Sequence, residues 1–163
     1  MSSLSTHRAA IVAALASVPE IGIVHDRERF VSGNDRFQQL YVYTPPGGQP
    51  HIRGWWLRRA STVERSPNLR RTVNVHTWAI RGYMAFNDAA GSELVLDGLV
   101  EQFRAVVRAD RTLGGVCQPG PLAGSERSDS TDGVQVTDAG PVTFAGVLCH
   151  SIVLQLETWS YLT

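Results

Sequence analysis

Residues 72–115 constrain the fold of this chain more than any other stretch. They begin with the run TVNVHTWAIRGYMAF (72–86), pass through Asn87 and Asp88, and continue into an amphipathic segment that ends at DRTLGG (110–115). β-branched and aromatic residues favour strands, whereas apolar residues three and four positions apart favour a helix. The order of a strand, a helix and a diglycine stop therefore predicts a compact α+β domain.

The amphipathic segment predicts a helix over about residues 89–109. Its apolar stripe consists of Val95, Leu99, Phe103 and Val106, flanked by Leu96, Val100 and Val107. Charged residues lie on the opposite side, where Glu101 and Arg104 have the i,i+3 spacing of an ion pair. A second helix is predicted over about residues 4–17, where apolar residues recur at helical spacing before Pro19. That apolar patch is too short to span a bilayer, so we expect no membrane segment.

The remaining apolar runs predict strands. The short run IGIVH (21–25) is β-branched, and residues 53–63 and 72–86 form an antiparallel pair around a turn at ERSPNLRR (64–71). In the closing run, 147–159, we expect Leu148, Ile152, Leu154 and Leu156 to face inward, and Cys149, Ser151, Gln155 and Glu157 to face outward.

These elements together predict the fold class. We expect a single α+β domain with a mixed, mainly antiparallel sheet flanked by two helices. Periodicity does not decide whether residues 37–44 form a strand or a short helix. Residues 119–133 are rich in turn-forming and charged residues and predict an exposed, flexible loop.

No catalytic or metal-binding pattern stands out. The five histidines lack metal-ligand spacing, and there is no GxSxG or phosphate-binding loop. Ser92 opens the main helix and is expected to cap it, while His150 lies on the apolar face of its strand as a core histidine. His25 beside Asp26 does not establish the geometry of an acid/base pair. The sequence therefore predicts no enzyme, no metal site and no cofactor.

Two features indicate an interface. Trp55 and Trp56 are neighbours on a strand, so one of the two must face away from the core, towards a partner, a helix or water. Arginines cluster at the same hairpin: Arg58, Arg59, Arg65, Arg70 and Arg71. They are either a solvated turn, a contact with an acidic partner, or a contact with DNA passing nearby. Fifteen basic residues balance fifteen acidic ones, which does not favour a dedicated nucleic-acid domain.

The whole pattern resembles the phage tail terminator proteins, the family of the lambdoid minor tail protein U. The resemblance spans about residues 8–160 and is carried by VPEIGIVHDRERF (18–30), GWWLRR (54–59), VNVHTWAIRGYM (73–84), DAAGSELVLDGLVEQFRAVV (88–107), DRTLGG (110–115) and GVLCHSIVLQLETW (146–159). It rests on the order of elements and the hydrophobic pattern.

This resemblance implies a virion protein that assembles in the host cytoplasm. A homohexameric ring would sit at the head-proximal end of the tail tube, stop tube polymerisation and join the tube protein to the head-tail connector, with DNA passing through its lumen. The candidate contacts would be Trp55, Trp56, Arg58, Arg59, Arg70 and Arg71. The alternatives are another neck or head-tail completion protein, or a small ligand-binding α+β domain or enzyme.

Overall fold

A six-stranded sheet forms the centre of the molecule. The computed structural model describes residues 3–118 and 132–162, except the side chains at 67 and 68. The strands are β1 (Ile23–His25), β2 (Val42–Tyr43), β3 (His51–Asn68), β4 (Arg71–Ala85), β5 (Gln135–Phe144) and β6 (Val147–Leu162). Their order is β1-β3-β4-β6-β5, with β2 beside the start of β3. β1 runs parallel to β3 and the other neighbours are antiparallel, so the predicted mixed, mainly antiparallel sheet is confirmed.

Two long helices pack on one face of this sheet, which we call the helical face. They are α1 (Ser3–Ala16) and α3 (Ser92–Ala109), and they confirm the helices predicted at 4–17 and 89–109. A short 3₁₀ helix, Asp88–Ala90, precedes α3. Gly91 has φ 63° and ψ 46°, a left-handed conformation that separates the two helices and makes α3 begin later than predicted.

The main core lies between the helical face and the two helices. The residues of α3 that are buried in it are Leu96, Leu99, Val100, Phe103 and Val107. Val95, predicted to belong to this stripe, is 39% exposed, because it lies at the rim of the arc that these five residues define around the helix axis. The predicted i,i+3 pair forms on the outer side, with Arg104 Nη1 2.8 Å from Glu101 Oε1.

A second, aromatic cluster covers one end of the opposite face. Helix α2 (Asn34–Gln39) packs there, so residues 37–44 contribute both a helix end and strand β2. The buried residues of this cluster are Tyr41, Ile52, Trp56, Tyr83, Phe144, Ala145 and Cys149. Both faces of the sheet are therefore covered at this end.

The double coverage corrects the prediction for the closing strand. Ile152, Leu154 and Leu156 are buried as predicted, but Leu148 is 54% exposed and Cys149 is fully buried. Cys149 was expected to face outward. It is buried because the aromatic cluster covers its face of the sheet, whereas Leu148 lies where the helical face is left open.

The β3–β4 hairpin is longer than its predicted turn suggested. Pairing continues to Asn68 opposite Arg71, so the turn consists of residues 69 and 70. Every residue from 58 to 66 is exposed, and Leu69 at the tip is fully exposed. The loop predicted at 119–133 falls on residues 119–131, which lie outside the described part of the chain, and on Asp132 and Gly133.

Candidate functional site

The two tryptophans predicted as interface candidates are both buried inside the subunit. Trp55 is 1% exposed and Trp56 is 4% exposed. Trp55 belongs to the main core, where its Nε1 donates a hydrogen bond to the backbone oxygen of Ile21 at 2.8 Å. Trp56 belongs to the aromatic cluster on the other face. The two rings lie on opposite faces of the sheet, as predicted. Of the three predicted alternatives for the second ring (a partner, a helix or water), the structure agrees with a helix, because Trp56 belongs to the aromatic cluster against which Phe37 of α2 packs.

Arginines shield the outer side of Trp56. The guanidinium carbons of Arg58 and Arg81 lie 5.4 Å and 6.0 Å from the ring centroid of Trp56, within the range of cation–π contacts. Arg58 Nη1 also lies 3.6 Å from Glu28 Oε2, within the range of an ion pair. An arginine predicted as a partner contact therefore helps to cover the subunit's own core.

The other predicted arginines lie along the hairpin. Arg59 and Arg70 are exposed, whereas Arg71 is half-buried with its guanidinium carbon 5.3 Å from the ring centroid of Tyr161. Arg59 follows Arg58 on the strand, so their side chains leave opposite faces of the sheet. The structure thus distributes the arginines over both faces of the hairpin instead of grouping them into one patch.

A polar pair that the sequence did not bring together lies at the start of α3. Ser92 Oγ is 2.7 Å from His150 Nε2, and both residues are buried. The backbone N–H of Asn87 also donates to Ser92 Oγ at 3.0 Å, and the ring of Phe86 stacks on His150 with centroids 3.8 Å apart. The prediction of a buried, hydrogen-bonded His150 is confirmed, whereas the prediction that Ser92 caps the helix was wrong, because Gly91 is the N-cap and Ser92 Oγ bonds to His150 and Asn87 instead. Sequence reasoning did not bring the two residues together, since 58 positions separate them.

An open groove adjoins this pair. Its volume is about 540 Å³, and its lining combines apolar residues with Ser92, Asn87, His51 and Arg53. A serine hydrogen-bonded to a histidine beside a groove is the arrangement of a nucleophile and its base. A catalytic pair also needs a third group that orients the histidine, and no carboxylate in the described residues is hydrogen-bonded to His150.

The remaining histidines have structural contacts. His25 Nε2 lies 2.7 Å from the backbone oxygen of Leu40, while Asp26 pairs with Arg27 at 2.8 Å. The adjacent His25 and Asp26 therefore do not form a pair with each other.

A separate buried cluster contains His7 and His76. Their ring centroids lie 5.6 Å apart, and His76 Nδ1 is 2.8 Å from Thr62 Oγ1. Within residues 3–118 and 132–162, no three histidine, cysteine or acidic side chains are placed to hold a metal ion.

Both cysteines are free and buried. Burial raises the pKa of Cys149 to about 11, and burial together with the charge of Asp110 raises the pKa of Cys117 to about 11. Both thiols are therefore protonated at neutral pH and are weak nucleophiles.

None of the described helices combines the length and the apolar character needed to cross a bilayer. A comparison of the chain with known protein families finds no family that matches. A comparison with curated proteins finds no match either.

Proposed function

We propose that this chain is a structural subunit of a phage tail, and specifically a tail terminator. Copies of the chain form a homohexameric ring at the head-proximal end of the tail tube. The ring stops tube polymerisation and presents its other side to the head-tail connector, while DNA passes through the lumen. This role needs no active site and no cofactor.

The observation that carries this proposal is the exposed outer half of strand β3, together with the tip of the β3–β4 hairpin. Nine consecutive residues of β3, from 58 to 66, are exposed, and the hairpin displays the apolar side chains of Val63 (45% exposed) and Leu69 (fully exposed). An exposed sheet edge carries unpaired backbone N–H and C=O groups, which can pair with a strand of another chain. A long exposed edge strand on a well-packed body is therefore suited to contact with neighbouring subunits.

Three further observations support the same role. The fold is the mixed α+β arrangement that the resemblance to tail terminators implies. The net charge of zero does little to keep copies of the chain apart, which is compatible with self-assembly. The arginines along the hairpin suit contacts with carboxylates of a neighbour or of the tube protein.

A different neck or head-tail completion protein would have the same general properties. The two roles differ in the number of subunits per ring and in the place of the ring in the particle. The decisive test is negative-stain microscopy of particles assembled without this chain. We expect tails of uncontrolled length. Tails of normal length that fail to join heads would point to the other completion role.

A second candidate function follows from the Ser92–His150 pair beside the groove. It would make the chain a small hydrolase or ligand-binding domain. The burial of both residues, and the second hydrogen bond from Asn87 to Ser92 Oγ, favour a structural role instead. Incubation with a fluorophosphonate probe tests this directly: we expect no labelled protein, and labelling that disappears in Ser92→Ala would support the hydrolase.

Solution mass separates the structural role from the ligand-binding role. Size-exclusion chromatography with light scattering should show rings, or a monomer that assembles at high concentration or on tail tubes. A protein that remains monomeric under all of these conditions and binds a small molecule would contradict the proposed function.

A further inference from the structure

The sheet has two outer edges at which backbone groups lack a neighbouring strand among the described residues. One is the part of β3 beyond β1, which pairs with β3 only at residues 54–56. The other is β5, whose only paired neighbour in the described chain is β6. The free stretch of β3, 57–66, and the whole of β5, 135–144, have the same length.

The hydrogen bonds of the sheet show which β3 residues direct their backbone outward. Phe86 N donates to Leu148 O, so even-numbered residues of β4 bond to β6 and odd-numbered ones bond to β3. The β3 residues that lie opposite even-numbered β4 residues therefore direct their backbone N–H and C=O groups away from the sheet. They are Arg59, Thr62 and Glu64, opposite Trp78, His76 and Asn74.

Two contacts agree with this assignment. Leu57 lies opposite Ile80, so its carbonyl should also point outward, and that oxygen accepts a hydrogen bond from Arg8 Nη1 at 3.4 Å. Arg53 lies opposite Met84, and its N–H donates outward to Tyr41 O at 2.9 Å.

The same alternation assigns the outer edge of β5. The backbone groups of even-numbered β6 residues bond to β4. The β5 residues opposite them therefore direct their own backbone groups outward. These partners are Val136, Ala139, Pro141 and Thr143. Pro141 fits this assignment, because a proline in an edge strand is placed where its missing N–H would face away from the sheet.

The two edge strands run in opposite directions, as an antiparallel pair requires, and their outward-bonding residues place their side chains on the same face of the sheet. β3 is antiparallel to β4, β4 to β6 and β6 to β5, so β3 and β5 run in opposite directions. Thr62 and Ala139 lie opposite His76 and Ile152, which both belong to the helical face. Pairing β3 of one copy with β5 of the next therefore places the helices of both copies on the same side of one continuous sheet.

The charges of the two edges are also complementary. Residues 57–66 carry three arginines and one glutamate, whereas residues 135–144 carry only Asp138. Bringing two β3 edges together would place these arginine-rich strands side by side, which opposes the symmetric alternative. A β3–β5 contact joins different surfaces of the two copies, and contacts of this kind generate rings when the rotation closes.

We propose that the outer edge of β3 binds the outer edge of β5 of a second copy, so that an antiparallel strand pair joins neighbouring subunits. This inference rests on the proposed self-assembly and names the surfaces that carry it. Arg59, Thr62 and Glu64 supply backbone N–H and C=O groups on one side. On the other side, Ala139 and Thr143 supply both groups, and Pro141 supplies only its C=O.

Site-directed cross-linking tests the contact in the full chain. Subunits with Thr62→Cys or Glu64→Cys are mixed with subunits with Ala139→Cys or Thr143→Cys and treated with a short bis-maleimide. The native cysteines are buried and serve as the unreacted background. We expect a covalent dimer in the mixtures and none in any single variant. Arg108→Cys, exposed on α3, is the control for random collision.

A proline substitution tests the same edge without chemistry. The N–H of Glu64 points outward and that of Val63 points to β4. Glu64→Pro should therefore keep the melting temperature nearly unchanged and lower the assembled fraction tenfold or more, whereas Val63→Pro should lower the melting temperature. Equal assembly of Glu64→Pro and the unmodified chain would contradict the inference.

The remaining outcomes separate this inference from the proposed function. A covalent dimer of Thr62→Cys alone would show a β3–β3 contact and overturn the inference. Rings that form without any cross-link between the edges would overturn it and leave the terminator role standing. A chain that stays monomeric even with tail tubes present would overturn both.

Discussion

His7 Nδ1 lies 2.9 Å from Thr158 Oγ1 and so joins the first helix to the last strand. Trp78 Nε1 also donates to Thr158 Oγ1, at 2.8 Å. Because an indole N–H can only donate, the Thr158 hydroxyl proton remains for His7 Nδ1, which accepts it as a neutral imidazole. This chain of hydrogen bonds connects three distant parts of the sequence in the buried core.

Acid should weaken this connection. Burial lowers the pKa of His7, although a hydrogen bond with the Val116 backbone partly opposes this shift. Burial, together with the nearby charges of His7 and Arg59, also lowers the pKa of His76. Both folded-state values lie below the usual 6.5, so below that pH the unfolded chain binds more protons than the folded one. We expect the free energy of unfolding, measured with urea, to fall as the pH drops from about 6.5 through the folded-state values.

Replacing one histidine of this cluster should remove part of the pH dependence of the free energy of unfolding. His76→Phe takes away one of the two titrating groups, so its stability should vary less between neutral and acid pH than that of the unmodified chain. His51→Gln is the matched control, because His51 lies outside the buried cluster. A pH profile that is unchanged in His76→Phe would contradict the assignment of acid sensitivity to this cluster.

Substitutions of the buried tryptophans should lower the stability of the subunit itself, whatever their effect on assembly. Trp55→Ala and Trp56→Ala should each lower the free energy of unfolding by about 3–5 kcal/mol, because they remove large core side chains. Trp55→Phe should cost less, about 1–3 kcal/mol, since it mainly loses the bond to Ile21 O. Chemical denaturation measures these values. An unchanged unfolding midpoint in Trp56→Ala would show that its ring is not buried in solution.

A glycine opposite Trp55 is required by packing. A Cβ added at Gly82 would lie 2.4 Å from the ring carbon Cζ3 of Trp55. We expect Gly82→Ala to lower the free energy of unfolding by about 1–3 kcal/mol through overpacking. Gly140 is the control, because nothing lies within 4 Å of a Cβ there. Equal unfolding midpoints for the two variants would contradict this packing.

The Ser92–His150 pair should contribute to stability. Ser92→Ala leaves the buried His150 Nε2 without its partner, so we expect a loss of about 1–3 kcal/mol in the free energy of unfolding. Ser61→Ala, at an exposed position of β3, is the matched control and should change the value by less than about 0.5 kcal/mol. If Ser92→Ala were as stable as the control, the Ser92–His150 hydrogen bond would not contribute to the stability of the fold.

The sequence by itself determined the local elements. Both long helices and the β3–β4 pair were predictable, because the spacing of apolar residues within a segment shows whether it buries a helical stripe or one side of a strand. The Glu101–Arg104 pair followed from the same local geometry. These features depend only on residues close together along the chain.

Only the tertiary structure decided which surfaces are covered. Trp56 and Cys149 were expected or allowed to face outward, and both are buried because α2 and its aromatic neighbours close the second face. The placement of β6 between β4 and β5, and the meeting of Ser92 with His150, likewise depend on contacts between distant segments. Alternation along a strand shows that two faces differ, but it does not show what packs on either face.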